Sequence, residues 1–174
     1  MPHIRPIPLT DKRLLVVVHH SAANDAYSDV ESLKAEYRHR GEGYNFVIDD
    51  DFKRLGGTGT DRIYQAVQAL PDTVVSNGAY GLNRSGPWYG WNICIDGNFE
   101  TQEPTEDELH ALIQVIAAKT RSWGWRKADV WRVTYHQETG HKYSSVRYGT
   151  ACPGKNIIKR FAWIRSEVAR YLPA

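Results

Sequence analysis

The sequence predicts a single domain of the α/β class, and three observations support this. Short aliphatic runs typical of buried strands alternate with segments whose apolar residues recur at helical spacing. The 174 residues, 41% of them hydrophobic, can bury one sizeable core and leave little for a second. No internal repeat, low-complexity segment or linker divides the chain. We therefore expect one domain over residues 1–174, with residues 1–13 as an N-terminal extension.

The N-terminal half is predicted to contain one buried strand, one helix and one hairpin. Leu14–Val18 is an aliphatic run, so His19 lies at the carboxyl end of a strand. A capping-box pattern then predicts a helix of about three turns over Asp29–His39. Tyr44–Ile48 and Lys53–Leu55 flank three aspartates, which is typical of two strands joined by a turn.

The C-terminal half continues the interleaving of strands and helices. Pro71–Gly90 is rich in Gly, Asn, Ser and aromatic residues without periodicity, which predicts a long surface loop around a groove. Trp91–Ile95 and Val130–Tyr135 are predicted strands. Thr105–Thr120 begins with a second capping box and continues with apolar residues at helical spacing. The apolar stripe over Ile157–Leu172 predicts a C-terminal helix.

Charge and cysteine content argue against several classes of protein. With 22 basic and 20 acidic residues the net charge is only +2, which is too balanced to indicate a nucleic-acid partner. The first residues lack the apolar core of a secretory signal, and no stretch reaches the roughly 20 apolar residues of a membrane helix. Two cysteines are too few for a disulfide framework. We expect a monomer with no export signal, no membrane partner and a reducing compartment.

Three residues predict a zinc site with one open position. His19 and His136 each follow a predicted strand, and Cys152 lies in a Cys-Pro-Gly motif. A catalytic zinc site takes three nitrogen or sulfur ligands from the protein and keeps the fourth position for water. A single histidine at a strand end is more often a hydrogen-bonded structural residue, so the prediction depends on the three together. The other cysteine, Cys94, alternates within an apolar strand and is predicted to be a core residue.

The order of the motifs resembles the type 2 N-acetylmuramoyl-L-alanine amidases. The matching motifs are VVVHHSA, GYNFVI, WNICIDGNF with PTEDEL, TYHQE and TACPG, and they run through nearly the whole chain. This family includes phage endolysins of the T7 lysozyme type and the peptidoglycan recognition proteins. The resemblance implies a central mixed β-sheet flanked by helices, with a zinc ion in a surface groove.

The resemblance also implies roles for individual residues. It places the zinc ligands on His19, His136 and Cys152. Tyr44 falls on the tyrosine of the hairpin motif and would position the water or hydrogen-bond the reacting centre. Thr150 lies two residues before the cysteine, where members of the family carry Lys or Thr, and would stabilise the oxyanion.

The second histidine ligand has an alternative in the sequence. The segment between His136 and Cys152 is longer than the usual connection and contains His141 in a Gly-His form of the same motif. We prefer His136, because it directly ends a strand and is followed by Glu138, which leaves His141 in a loop. Glu138 itself would support the site, carry a proton or be a solvated acid.

Three residues are candidate substrate contacts. Asn45 takes the place of the histidine in the family's Tyr-His-Phe motif, and Asn83 matches its loop asparagine, although Tyr80 replaces a common histidine. Trp88 is the tryptophan best suited to stack on a sugar, whereas Trp91 lies in a strand and is expected to pack in the core.

The activity that the resemblance implies is zinc-dependent hydrolysis of peptidoglycan, at the amide between N-acetylmuramic acid and the L-alanine of the stem peptide. A compact phage endolysin is expected, present in the host bacterial cytoplasm until lysis and then at the cell wall. A non-catalytic peptidoglycan-binding protein of the same fold is the alternative. A structural zinc protein that regulates a partner is a third possibility, but no sequence feature supports it.

Overall fold

The computed structural model describes residues 9–22, 43–49, 65–74, 76, 78–82, 87–144 and 146–174. Within these ranges the strands are β1 (Leu14–His20), β2 (Phe46–Asp49), β3 (Gln65–Gln68), β4 (Tyr89–Ile95) and β5 (Val133–Tyr135). The α-helices are α1 (Glu106–Ser122), α2 (His136–Lys142), α3 (Lys155–Ile158) and α4 (Phe161–Arg170), and a 3-10 helix covers Lys127–Arg132. None of the helices described is long and apolar enough to cross a membrane. The helix predicted over residues 29–39 and the strand predicted over residues 53–55 lie outside the described ranges.

The five strands form one mixed sheet in the order β3-β2-β4-β1-β5. β1 is parallel to both β4 and β5, and β2 is parallel to β4, whereas β3 is antiparallel to β2. Every residue of β1 is buried, which explains why its sequence is continuously aliphatic before the two histidines. The predicted α/β class and the mixed sheet are confirmed.

The two faces of the sheet have different partners. Leu14, Val16 and Val18 of β1 point into the main core. There they meet side chains of α1 and α4, among them Leu112, Ile113, Ile116, Ile164 and Val168. Leu15 and Val17 point to the opposite face, where they pack on Ala79 and Leu82 of the long loop. His19 shares this second face by strand alternation, so the predicted ligand faces the loop rather than the helical layer.

The capping box predicted for the second helix is confirmed. Thr105 accepts a hydrogen bond from the backbone nitrogen of Glu108 at 3.2 Å, and the Glu108 carboxylate accepts one from the backbone nitrogen of Thr105 at 2.6 Å. The helix continues to Ser122, two residues further than predicted.

Two predicted elements near the C-terminus are wrong in detail. The strand predicted over Val130–Tyr135 begins only at Val133, because Asp129 accepts a hydrogen bond from the backbone nitrogen of Arg126 and stabilises a 3-10 turn instead. The C-terminal helix predicted as continuous is divided into α3 and α4. Its apolar stripe is nevertheless buried as expected, at Ile157, Phe161, Ile164, Val168 and Leu172.

Candidate metal centre

His19, His136 and Cys152 converge at the carboxyl end of β1. One ligand atom from each lies within 4.8 Å of the other two, and Nδ1 of His19 is 3.6 Å from Sγ of Cys152. Tetrahedral zinc with Zn–S and Zn–N bonds of about 2.3 and 2.05 Å places a sulfur and a nitrogen ligand about 3.6 Å apart. The three donors therefore fit a zinc ion in chemistry, and the His19–Cys152 pair fits it in spacing.

The topology of the sheet brings the two histidines together. His19 is the second-to-last residue of β1, and His136 is the first residue of α2, directly after β5. β1 and β5 are parallel neighbours, and the carboxyl ends of parallel strands meet at the same edge of a sheet. The two imidazole ring centroids are 4.6 Å apart as a result. His141 is exposed and is not part of the cluster. It lies in α2, so the prediction that it lies in a loop is wrong.

Gln137 attaches the segment that carries Cys152 to the start of α2. Its backbone nitrogen donates to the carbonyl oxygen of Cys152 at 2.9 Å, and its side-chain Nε2 donates to the carbonyl oxygen of Thr150 at 2.9 Å. The backbone nitrogen of His20 in turn donates to Sγ of Cys152 at 3.5 Å. These bonds hold the cysteine beside both histidines, although 132 residues separate Cys152 from His20 in sequence.

Burial sets the protonation of all three candidate ligands. It holds the pKa of His19 well below its usual range, with a further contribution from His136. Burial also lowers the pKa of His136 to about 4, and raises the pKa of the Cys152 thiol to about 12. At neutral pH the metal-free protein therefore offers two neutral imidazoles and a protonated thiol.

Zinc uptake at pH 6 is expected to release about one proton per ion. The histidines contribute none, because the pKa of His136 is about 4 and that of His19 is also low, whereas Cys152 must lose its proton to bind as a thiolate. The apparent affinity should accordingly rise about tenfold per pH unit. Titration calorimetry in buffers of different ionisation enthalpy measures this number, and a value near zero would show that the thiolate is already formed.

Tyr44 and Thr150 border the cluster. The Tyr44 ring centroid is 5.0 Å from that of His19, and the ring packs against Val47 and Cys94. The Thr150 hydroxyl accepts a hydrogen bond from the backbone nitrogen of Cys152 at 3.2 Å. This bond uses only the oxygen of Thr150, so the hydroxyl can still donate its proton. Tyr44 and Thr150 thus each lie beside a candidate ligand, and their catalytic roles stay predictions.

The candidate substrate contacts are placed less favourably. Asn45 has no exposed surface, and its amide group bonds Pro71, Val74, Ser76 and Asn92. Its assignment as a direct substrate contact is therefore corrected, since the side chain is fully engaged inside the fold. Asn83 lies outside the described residues.

Trp88 lies at the opposite end of the sheet from the metal ligands. It directly precedes β4, whose register pairs Tyr89 with Leu14 and Cys94 with His19. Six residues of strand between Trp88 and Cys94 correspond to about 20 Å. The Trp88 ring packs edge-on against Trp131 and Tyr143, at centroid distances of 5.8 and 5.3 Å. The structure therefore does not bring Trp88 to the metal cluster, and sugar stacking there stays a prediction.

Glu138 does not face the cluster and is not a solvated acid. Its side chain is only 8% exposed and accepts hydrogen bonds from Thr134, Lys142 and Arg165. Burial raises the pKa of Glu138, but the bonds from Lys142 and Thr134 and the charge of Arg165 outweigh this and leave that pKa below its usual value. Glu138 therefore stays ionised and ties α2 to β5 and α4, which excludes the predicted role of proton carrier.

Sequence reasoning missed Asn92, Ser76, Gln137 and Tyr148. The Tyr148 ring packs edge-on against His136 at 5.6 Å, in a segment without a motif. Asn92 could have been identified from the sequence, because a polar residue within an aliphatic buried strand must find hydrogen-bond partners. Its oxygen accepts from Nε2 of His19 at 2.8 Å.

Comparison with known proteins identifies similar sequences and folds. A family model described as N-acetylmuramoyl-L-alanine amidase matches residues 10–155. No match was found in a search of curated proteins.

Several solved structures share the fold over almost the whole chain. N-acetylmuramoyl-L-alanine amidase LysC from Clostridium intestinale URNW superposes with a TM-score of 0.64 at 19% identity, covering 94% of this chain and 89% of that one. Ph2119 endolysin from Thermus scotoductus MAT2119 bacteriophage Ph2119 gives 0.60 at 17% identity, covering 95% and 88%. Peptidoglycan recognition protein-LE in complex with tracheal cytotoxin gives 0.59 at 16% identity, covering 94% and 84%. Identities this low establish similarity of fold alone.

Proposed function

The chain belongs to the N-acetylmuramoyl-L-alanine amidase family, and from this we propose that it is a zinc-dependent peptidoglycan hydrolase. The bond cleaved would be the amide between N-acetylmuramic acid and the L-alanine of the stem peptide. The observation that carries this proposal is the convergence of His19, His136 and Cys152 into a set of donors suited to zinc. A binding protein without catalytic activity would not need all three donors, so their presence favours hydrolysis.

The side chains around the cluster suit amide hydrolysis. When bound, zinc would act as a Lewis acid that activates water and polarises the scissile carbonyl. Among the described residues no carboxylate joins the cluster. We therefore assign the hydrogen bond to the attacking water to the Tyr44 hydroxyl, since its ring lies beside His19.

Thr150 is the group that we assign to the developing negative charge on the carbonyl oxygen. An oxyanion needs a donor about 3 Å away, and the Thr150 hydroxyl has its own acceptor position engaged by the backbone nitrogen of Cys152. The hydroxyl keeps its proton for donation to this charge. Thr150→Val removes the hydroxyl and keeps the size of the side chain, so a slower rate at full zinc occupancy would support this role.

The proposed substrate and setting follow from the relatives. The solved peptidoglycan recognition protein-LE holds tracheal cytotoxin, described as monomeric diaminopimelic acid-type peptidoglycan, and other structures of this fold are endolysins. We propose that this chain acts as a monomeric phage endolysin, held in the host bacterial cytoplasm until lysis and then acting on the wall.

Mass spectrometry of digested peptidoglycan tests the proposed function. Purified walls are incubated with the zinc-loaded protein and with the same protein in excess chelator. We expect zinc-dependent release of stem peptides that begin with a free L-alanine amine, while the glycan strands stay intact. Bound zinc without release from walls of several chemical types would instead favour a peptidoglycan-binding protein. Cleaved glycan, or fragments cut within the stem peptide, would reject the proposed bond.

A further inference from the structure

A buried chain of hydrogen bonds runs from His19 to the long loop that precedes β4. The four side chains in it are His19, Asn92, Ser76 and Asn45, and none is more than 1% exposed. Asn92 connects to Ser76 through Nδ2 at 2.7 Å, and Ser76 donates to Oδ1 of Asn45 at 2.9 Å. Asn45 ends the chain by donating to the carbonyl oxygens of Pro71 and Val74 at 3.1 and 2.7 Å.

The direction of these bonds fixes the orientation of the Asn92 amide. Its Nδ2 faces the hydroxyl of Ser76 and also the carbonyl oxygens of Ser76 and Gly90, at 3.4 and 3.3 Å. Carbonyl oxygens can only accept, so the amide nitrogen must be the atom on that side. The amide oxygen is left facing Nε2 of His19 at 2.8 Å.

The orientation of Asn92 in turn fixes the proton on His19. An amide oxygen can only accept a hydrogen bond, so Nε2 of His19 must carry the hydrogen and Nδ1 must carry the lone pair. That lone pair is on the atom 3.6 Å from Sγ of Cys152. The imidazole is therefore held in the one tautomer and ring orientation that offers Nδ1 to a metal.

We propose that Asn92 is a positioning residue that presents Nδ1 of His19 to the metal, and that Ser76 and Asn45 couple this presentation to the loop before β4. Its consequence for metal affinity rests on the proposed zinc site, whereas the His19 tautomer does not. Partners that orient a metal-binding histidine typically change the metal affinity by about 10–100-fold. Asn92 is expected to have an effect of this size without touching the ion.

Gly78 gives the loop its close approach to Asn92. A Cβ atom at Gly78 would lie 2.8 Å from Cγ of Asn92 and 3.0 Å from both Cβ and Oδ1. Contacts this short require the Asn92 carboxamide to shift. Gly78→Ala therefore disturbs the orientation of Asn92 while leaving every hydrogen-bonding group of the chain in place.

Nuclear magnetic resonance of the imidazole nitrogens tests the tautomer in the metal-free protein. We expect the His19 Nε2–H to be visible and protected from exchange with water. Asn92→Ala should remove this protection, because no acceptor then faces Nε2 of His19. An unprotonated Nε2 in the unsubstituted protein would overturn the proposal, whatever the outcome of a digestion assay.

Zinc affinity, measured by competition with a coloured chelator, tests the consequence. Asn92→Ala is expected to weaken binding by about 10–100-fold and Gly78→Ala by a smaller factor. Thr120→Val is the matched control, since this hydroxyl is equally buried but bonds the backbone of α1, at the carbonyl oxygen of Ile116. If Asn92→Ala fails to fold, the zinc affinity and Nε2–H protection of Gly78→Ala test the proposal instead. Unchanged affinity and unchanged Nε2–H protection in a folded variant would overturn the proposal.

Discussion

Replacement of Cys152 by serine is expected to abolish tight zinc binding and peptidoglycan cleavage together. The serine hydroxyl is a poor zinc ligand at neutral pH, and only His19 and His136 would remain of the three donors. Loss of a partner that merely orients a ligand costs about 10–100-fold in metal affinity, so loss of a ligand should cost more than about 100-fold. Zinc content after dialysis and the rate of wall digestion measure the two effects on the same preparation.

The second cysteine supplies the matched control for this experiment. Cys94 is completely buried in β4 and is not one of the clustered donors. Its thiol lies 3.5 Å from the carbonyl oxygen of Ile95 and hydrogen-bonds Tyr44. Cys94→Ser makes the same chemical change and should keep one equivalent of zinc. If Cys152→Ser bound zinc as tightly as the unsubstituted protein, Cys152 would not be a ligand and the proposed site would be wrong.

The parts of the site predictable from sequence are those that follow strand ends. An aliphatic run precedes His19, and a predicted strand precedes His136, so the sequence places each histidine at a strand end. The parallel pairing of β1 and β5 is what brings those two ends to the same edge of the sheet. No periodicity indicates Cys152, which was recognised from its Cys-Pro-Gly motif and then from the resemblance to the amidases. The segment from Val130 to Arg132 was misread because its apolar residues suit a strand, while the capping bond of Asp129 decided for a 3-10 turn.

The parts that could not be predicted depend on hydrogen bonds between distant residues. Asn92 is 73 residues from His19 in sequence, and Ser76 is 31 residues from Asn45. Such partners are chosen by the register of the parallel sheet and the path of the loop, which local patterns do not encode. The same limit explains why the prediction for Asn45 was wrong. Its position in the hairpin motif suggested a substrate contact, but its side chain is buried and hydrogen-bonded within the fold.

Replacement of Gly154 by alanine is expected to destabilise the protein by about 3 kcal/mol or more and to weaken the metal site with it. Gly154 has φ +91°, and a Cβ atom there would lie 2.4 Å from the carbonyl carbon of Phe99 and 2.6 Å from the nitrogen of Glu100. With ψ 147° this backbone conformation is one that ordinarily only glycine adopts, which costs a side chain about 1–3 kcal/mol, and overpacking typically adds about 1–3 kcal/mol. Backbone atoms form the obstacle, so no side-chain rotation relieves it.

Two other glycines separate the conformational cost from the clash. Gly124 has φ +79° with no atom within 4 Å of an added Cβ, so Gly124→Ala should cost only about 1 kcal/mol. Gly149 has neither a positive φ nor a neighbour within 4 Å, and its replacement should leave the free energy of unfolding nearly unchanged. Urea unfolding of Gly154→Ala, Gly124→Ala and Gly149→Ala measures the three changes in the free energy of unfolding.

The consequence for the metal site follows from where Gly154 lies. It is two residues after Cys152, and the backbone nitrogen of Asn156 donates to the carbonyl oxygen of Phe99 at 3.1 Å, so the turn at Phe99 and the start of α3 are locked together. Relief of the clash is therefore expected to shift the segment that carries the Cys152 thiol. Gly154→Ala should weaken zinc binding even below its unfolding midpoint, whereas Gly124→Ala should not. Equal stability of these two variants would mean that the backbone at Phe99 yields, and that Cys152 is held by Gln137 and His20 instead.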